Sequence, residues 1–260
     1  MINRLTIFAC ITLGLLPIQT TVAQEEETLV IEEITVTAEK RETSMQDTNI
    51  AVSAYTGELL QELNIQDLQG VIVRDPSMSF SRAGGEGQVF IRGVGSNLLG
   101  IGQDSSVAVH QDGVYLGRPH LTLTQFLDVE RVEILRGPQG TLYGRNATAG
   151  VVNVISRKPS EELQGYAYGY VGNFGRREIE AAVGGPMSDT AGFRLAGRWT
   201  DDDGFTDDLE PKGGDTIDDR SFYALRGIMD FHPSDSFSAE FIAEYSEADG
   251  HNLSCLLYTS

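Results

Sequence analysis

Residues 131–159 read RVEILRGPQGTLYGRNATAGVVNVISRKP, and their four glycines and five basic side chains could form a phosphate-holding loop. Such a loop works by presenting the free N–H groups of a helix N-terminus to the anion. Here the glycines lead into VVNVIS, a β-branched run too short for that helix, and neither GxGxxG nor GxxxxGKS/T occurs. The acidic run DDDGFTDDLEPKGGDTIDD, residues 201–219, offers many carboxylates, but not in the register of a calcium loop. A solvated loop is the reading it supports. The histidines His110, His120, His232 and His251 are scattered, and HExxH and CxxC are absent. No Ser/His/Asp or Cys/His arrangement stands out either. These residues point to no catalytic group, no metal centre and no resident cofactor.

Charge narrows the partners. With 38 acidic and 19 basic residues the formal charge is −19, which repels phosphate backbones and excludes nucleic acid as a partner. The first 23 residues carry Arg4, an apolar run from Leu5 to Leu16, and a small-residue end at Thr21-Val22-Ala23. That is the shape of a cleaved export signal; the alternative is an N-terminal anchor, for which the run is short and interrupted by Thr12, Gly14 and Pro17. Cys10 lies in this signal, so Cys255 alone remains, and a disulfide scaffold is not expected. No later stretch is apolar enough for a spanning helix, so a membrane could be crossed only by a closed β-barrel.

The elements that would position any site fall into blocks. Residues 24–48 form a polar tether with one apolar island, LVIEEITVT, whose β-branched residues favour an extended strand. That strand could add itself to another protein's sheet edge or begin the next domain. Residues 49–159 read as a compact α+β domain. Thr56 would cap one helical stretch carrying Leu59, Leu60, Leu63 and Leu68, and short strands follow at QVFIRG, SVAVHQ, GVYLG, RVEILRG and VVNVIS.

From 160 to 250 the texture becomes two-residue alternation. The tyrosines Tyr166, Tyr168 and Tyr170 share a face; Phe193, Leu195 and Trp199 oppose Arg194, Ala196 and Arg198. About five strands show this pattern, with short turns and one long acidic loop. It fits a transmembrane barrel with lipid on the apolar face and a lumen on the polar one, or else a soluble sandwich. Five strands are too few to close a membrane barrel, so the fold class is mainly β: an α+β domain followed by the first strands of an incomplete antiparallel barrel. The last residues, 251–260, break the pattern and are doubtful as native sequence.

The blocks and their motifs resemble the N-terminal part of a TonB-dependent outer-membrane receptor. The resemblance rests on EEITVTA, DTNIAVSAYTGELL, VFIRGVGSN, VAVHQDGVYLGRP and LDVERVEILRGPQGTLYGRNATAGVVNVISRKP, and one departure is Asn49, where relatives often have proline. It implies a plug domain over 49–159, inside a barrel whose first strands are 160–250, in the bacterial outer membrane. Glu32, Glu33, Ile34, Thr35, Val36, Thr37 and Ala38 would be the TonB box, the contact for TonB of the inner-membrane complex. Arg92 and Arg136 would pair with acidic residues of the barrel wall. Arg82, Ser96, Asn97, Arg118 and His120, on outward plug loops, would touch a small-molecule ligand, an iron chelate such as a ferric siderophore. Import would draw on the proton motive force through TonB and need no cofactor. The contrasting readings are a porin-like pore or periplasmic binding module without coupling, and an importer of cobalamin or carbohydrate.

Overall fold

The computed structural model describes residues 35–37, 43–83, 86–96, 104–117, 125–204, 206–207, 216–217, 219–234 and 236–250. The expected signal, 1–23, and the doubtful tail, 251–260, lie outside the described residues.

Two short strands, β1 (Thr35–Val36) and β2 (Thr43–Ser44), pair antiparallel with each other. Strand β3 (Ala51–Thr56) runs directly into helix α1 (Gly57–Glu62), and α2 (Leu68–Arg74) follows. The single expected helix is therefore two. The Thr56 hydroxyl accepts from the Leu59 amide to start the first, and the Asp67 carboxylate accepts from the Gly70 amide at 2.8 Å to start the second. Between them Asn64 adopts φ 50°, the left-handed conformation that ends a helix. Leu60 and Leu68 reach the core, whereas Leu59 stays exposed.

Strands β4 (Met78–Ala83), β5 (Glu86–Ile91) and β6 (Val94–Gly95) form a small antiparallel sheet. Strands β7 (Val107–Gln111), β8 (Val114–Tyr115), β9 (Val129–Arg136) and β10 (Gly150–Ser156) join β3 in a second sheet, ordered β3-β9-β10-β7-β8. β10 is antiparallel to β9 and parallel to β7. One helical turn, α3 (Gly140–Tyr143), sits in the glycine-rich connection between β9 and β10. This sheet is covered on both faces. Val132, Ile134 and Val152 pack with the helices and with Val89 and Ile91, while Leu135 and Val151 pack with Val52, Ala108 and Val36 on the other side.

A five-stranded meander follows: β11 (Gln164–Val171), β12 (Arg177–Ser188) and β13 (Ala191–Asp202), then, past a small hairpin of β14 (Thr206–Asp207) and β15 (Thr216–Ile217), β16 (Arg220–Ser234) and β17 (Phe237–Asp249). All its neighbours are antiparallel. Its alternation has an inverted sense for a protein in water. Glu178, Glu180, Arg194, Arg198 and Arg226 are buried on the face toward the α+β domain, while Ile179, Leu195 and Leu225 are 57%, 55% and 63% exposed on the other. A soluble sandwich would cover the apolar face with a second sheet; here the α+β domain covers the polar face instead. An uncovered apolar face of this extent is what a barrel wall presents to lipid. No helix among the described residues is long and apolar enough to cross a membrane.

The tyrosine row does not join the apolar face. Tyr166 and Tyr168 pair with Ala182 and Glu180 across β12 and turn inward, half-buried, to donate their hydroxyls to carboxylates.

Candidate functional site

The charged inward wall positions each meet a polar group of the α+β domain, while Ala182, Ala196, Phe222 and Ala224 pack around Leu127. Four consecutive residues ahead of β9 are each held by at least one wall side chain. Thr200 donates to Gln125 Oε1 at 3.1 Å, and Arg198 Nη1 to the Phe126 carbonyl at 2.7 Å. Arg226 Nη1 donates to the Leu127 carbonyl at 2.7 Å, and Arg194 grips the Asp128 carboxylate through Nε at 2.5 Å and Nη2 at 2.7 Å. The Asp128 amide in turn donates to Glu180 Oε1 at 3.2 Å.

Further bonds satisfy the remaining charges. Arg198 bridges Glu178 at 2.6 Å and Glu180 at 3.2 Å, and Arg226 meets Glu244 at 2.7 Å. Tyr166 donates to both Asp128 and Glu180, and Gln66 to Glu178 at 2.6 Å. Buried ions are tolerated only when paired and hydrogen-bonded in this way. Asp128 itself adopts φ 46°, a conformation that aspartate accepts more readily than most side chains. That backbone turn brings its carboxylate to the wall just before the chain extends into β9.

A second constellation holds the segment around Thr37. The Thr37 amide donates to Glu133 Oε1 at 2.8 Å, and the Thr37 hydroxyl reaches the same carboxylate. Glu133 is 0% exposed and is oriented by Arg131 Nε at 2.9 Å. From the other side Tyr143 donates its hydroxyl to the Thr37 carbonyl at 3.3 Å while accepting from Asn153 at 3.0 Å. Burial, and to a lesser degree the Glu133 charge, push the Tyr143 hydroxyl above its ordinary pKa, so it stays a donor at neutral pH. Val36, 0% exposed, fills the apolar cluster beside Leu135 and Val151. Glu133 and Asn153 are register partners on β9 and β10, so the carboxylate and the amide belong to one sheet face. A cavity of about 520 Å³, lined by Thr37, His110, Tyr143 and Asn153 among others, lies against this segment.

Of the seven TonB-box residues expected from the sequence, Thr35, Val36 and Thr37 belong to this constellation. Glu32, Glu33, Ile34 and Ala38 lie outside the described residues. Ser96 is described, half-buried just after β6. Asn97, Arg118 and His120, and the side chain of Arg82, lie outside the described residues.

Arg92 sits exposed in the turn after β5 with φ 52°, its amide donating to the Ser77 carbonyl at 2.6 Å. Arg136 donates to the Val52 carbonyl at 3.2 Å and lies 4.0 Å from the buried Asp75 carboxylate, contacts wholly within the α+β domain. At the described seam the wall supplies arginines to a carboxylate, two carbonyls and the Ser156 hydroxyl of the α+β domain, and Lys158 of that domain meets Glu240 of the wall at 2.9 Å. Sequence reasoning missed Arg194, Arg198, Arg226, Asp128 and Glu133. The signal available for the first two was arginine recurring on one face of an otherwise apolar strand.

Comparison with known proteins agrees with this geometry. The family model described as TonB-dependent Receptor Plug Domain matches residues 44–151. The ferric-pyoverdine 358 receptor of Pseudomonas putida is 29% identical over 64% of this chain and 20% of its own length. The iron-regulated outer membrane virulence protein of Vibrio cholerae is 27% identical over 93% of this chain and 38% of its own. This chain thus spans well under half of those relatives. Among solved structures, the ferric yersiniabactin uptake receptor FyuA of Yersinia pestis superimposes with TM-score 0.71 at 23% identity, covering 77% of this chain and 32% of that one. The pyoverdine receptor FpvA of Pseudomonas aeruginosa PAO1 gives 0.69 at 19%, covering 82% and 30%. These are likenesses of fold, and the names are those of receptors rather than enzymes. Residues 44–151 thus match the plug domain of TonB-dependent receptors, and the chain as a whole shares the fold of the N-terminal part of such receptors, a plug seated on the polar face of the wall strands.

Proposed function

We propose that the chain is part of an energy-coupled importer that takes up an iron chelate of the siderophore class. The observation that carries the reading is the stowed segment at Thr35–Thr37. Among the described residues it pairs with the two-residue β2 of its own tether and is held to the plug by side chains, through Glu133, Tyr143 and the packing of Val36. A strand held this way can be withdrawn without breaking a plug ladder, and it then offers its edge to a partner, which we take to be TonB. Residues 32–38 are accordingly the TonB box, within a tether of 24–48 that follows an export signal of 1–23. The plug occupies 49–159 and the first wall strands 160–250.

The relatives named for ferric pyoverdine and yersiniabactin support iron chelates as cargo. We assign ligand contact to Arg82, Ser96, Asn97, Arg118 and His120, since guanidinium groups suit an anionic chelate. Arg92 and Arg136 are assigned to wall carboxylates beyond the described strands. Energy reaches the plug through TonB, so the transport cycle needs no resident cofactor. A cobalamin cargo is the second reading, favoured by 29% identity to the vitamin B12 transporter BtuB of Vibrio vulnificus over 77% of this chain.

Deleting residues 32–38 from the full-length receptor tests the coupling. Uptake of labelled ferric siderophore is expected to vanish while binding to whole cells persists. Undiminished uptake by the deletion would overturn energy coupling, and uptake of cobalamin instead of iron would favour the second cargo.

A further inference from the structure

We infer that residues 125–128 are the fixed point of the plug: they stay bound to the wall strands while the segment at Thr35–Thr37 is drawn away. This rests on the import reading above. Three observations carry it. First, each of the four residues is held by at least one wall side chain, and two of the carbonyls and the one carboxylate are bonded by buried arginines. Second, β9 begins at Val129, directly after the Asp128 grip, and five residues on carries Glu133, the carboxylate that holds Thr37. One interior strand of its sheet, between β3 and β10, therefore joins the box contact to the wall contact over roughly 17 Å at ~3.3 Å per residue.

Third, the two ends are unequal. The box segment is held through a single carboxylate, a phenol and the packing of Val36, whereas Asp128 has a bidentate guanidinium and its neighbours have charge-assisted bonds to two further arginines. Charge-assisted and bidentate contacts are the stronger kind. A pull on the box thus parts Thr37 from Glu133 before it parts Asp128 from Arg194. The plug is remodelled on the side away from β12, β13 and β16 and does not leave the wall as a body. Asp128 is a positioning residue in this scheme.

The experiment uses the full-length receptor in cells, with Gln125→Cys and Thr200→Cys paired and linked by a short thiol-specific crosslinker. Linked receptor is expected to import within about twofold of the unlinked form. A second pair, Thr37→Cys with Tyr143→Cys, is expected to lose more than tenfold of its import when linked and to keep ligand binding. Import abolished by the 125/200 link with binding intact would overturn the inference, because the segment would then have to part from the wall. Absence of import in the unmodified receptor would instead sink the import reading.

A second measurement does not depend on cysteines. Asp128→Asn should make cells at least fourfold more sensitive to a large antibiotic that the outer membrane normally excludes, and deleting residues 32–38 in the same variant should restore exclusion. Leakage that persists without the box would mean that Asp128 merely stabilises the plug, and no leakage at all would mean that it anchors nothing; either result refutes its role.

Discussion

Glu133 and Thr37, 96 positions apart in sequence, meet in a hydrogen bond of 2.8 Å between a carboxylate with no solvent exposure and a backbone amide of the box segment. The carboxylate is worth more here than a neutral acceptor, because Arg131 orients it and the bond is charge-assisted. Glu133→Gln keeps the shape and one acceptor but loses the charge. A loss of about 1 kcal/mol at this contact corresponds to roughly fivefold more time with the segment released. A cysteine at Val36, buried beside Leu135 and Val151, reports it: thiol labelling is expected to be about fivefold faster in Glu133→Gln than in its parent. Equal labelling rates would show that Val36 packing alone retains the box.

The Arg194 grip on Asp128 predicts a characteristic double-mutant result. Arg194→Met leaves a carboxylate buried in the seam with only Tyr166 to bond it, which costs on the order of 3–5 kcal/mol. Adding Asp128→Asn removes the stranded charge, so the double variant should be more stable than Arg194→Met alone. Thermal unfolding of the detergent-solubilised receptor measures both. If the two single losses simply add, the ions are not coupled as the distances indicate.

The wall was legible in the sequence for the reason that it is hard to stabilise in water. A strand between lipid and a polar plug must alternate strictly, and Leu195 and Trp199 against Arg194 and Arg198 show that at once. What covers each face was not legible. Glu133 in VEIL resembles an ordinary solvent-facing charge, because periodicity reports which side a residue takes and not that the box segment lies over it. Asp128 gives no periodic signal at all, since it sits in a turn with positive φ and its partner is 66 positions away. The shared face of the tyrosines did not say which side it takes: a phenol suits either, and the carboxylates of Glu178 and Glu180 decided it. The helix divided at Asn64 because Asp67 offers a second cap, a competition that the leucine spacing hides.

Asp75 and Tyr143 set opposite pH limits on the plug. Burial alone would raise Asp75, but two hydrogen bonds from Ser77 and the nearby Arg136 outweigh it and hold the carboxyl below its ordinary value of 3.8. A depressed carboxyl contributes its stability in full above that ordinary value and loses it as pH falls from there through the folded value. Tyr143 is raised above 10.0, so its contribution is complete below pH 10.0 and is lost as pH climbs through the folded value. Asp75→Asn should flatten the acid side of a stability profile, and Tyr143→Phe the alkaline side. A profile unchanged on both sides would detach these groups from plug stability.

Gly57 lies where α1 presses on β9, and a Cβ there would collide with the Val129 carbonyl, which is backbone and cannot swing aside. Gly57→Ala therefore forces the helix off the strand and should cost roughly 1–3 kcal/mol, as overpacking does. The same change at Gly140, with open space around its Cβ position, should cost far less. Unfolding midpoints of the two variants compare them directly, and equal losses would argue against close packing of α1 on β9.

Leu195 and Arg194 are neighbours on β13 facing opposite ways, and the membrane reading gives their substitutions different signatures. An arginine at position 195 would meet hydrocarbon, where a midplane charge costs about 2–4 kcal/mol in a barrel strand. In an aqueous protein an exposed Leu→Arg change is close to neutral, within ~0.5 kcal/mol. Leu195→Arg should thus impair folding into bilayers of the full-length receptor while leaving the plug contacts of Arg194 untouched. A neutral result in bilayers would mean that the apolar face is covered by protein, and the wall would have to be reassigned as one layer of a sandwich.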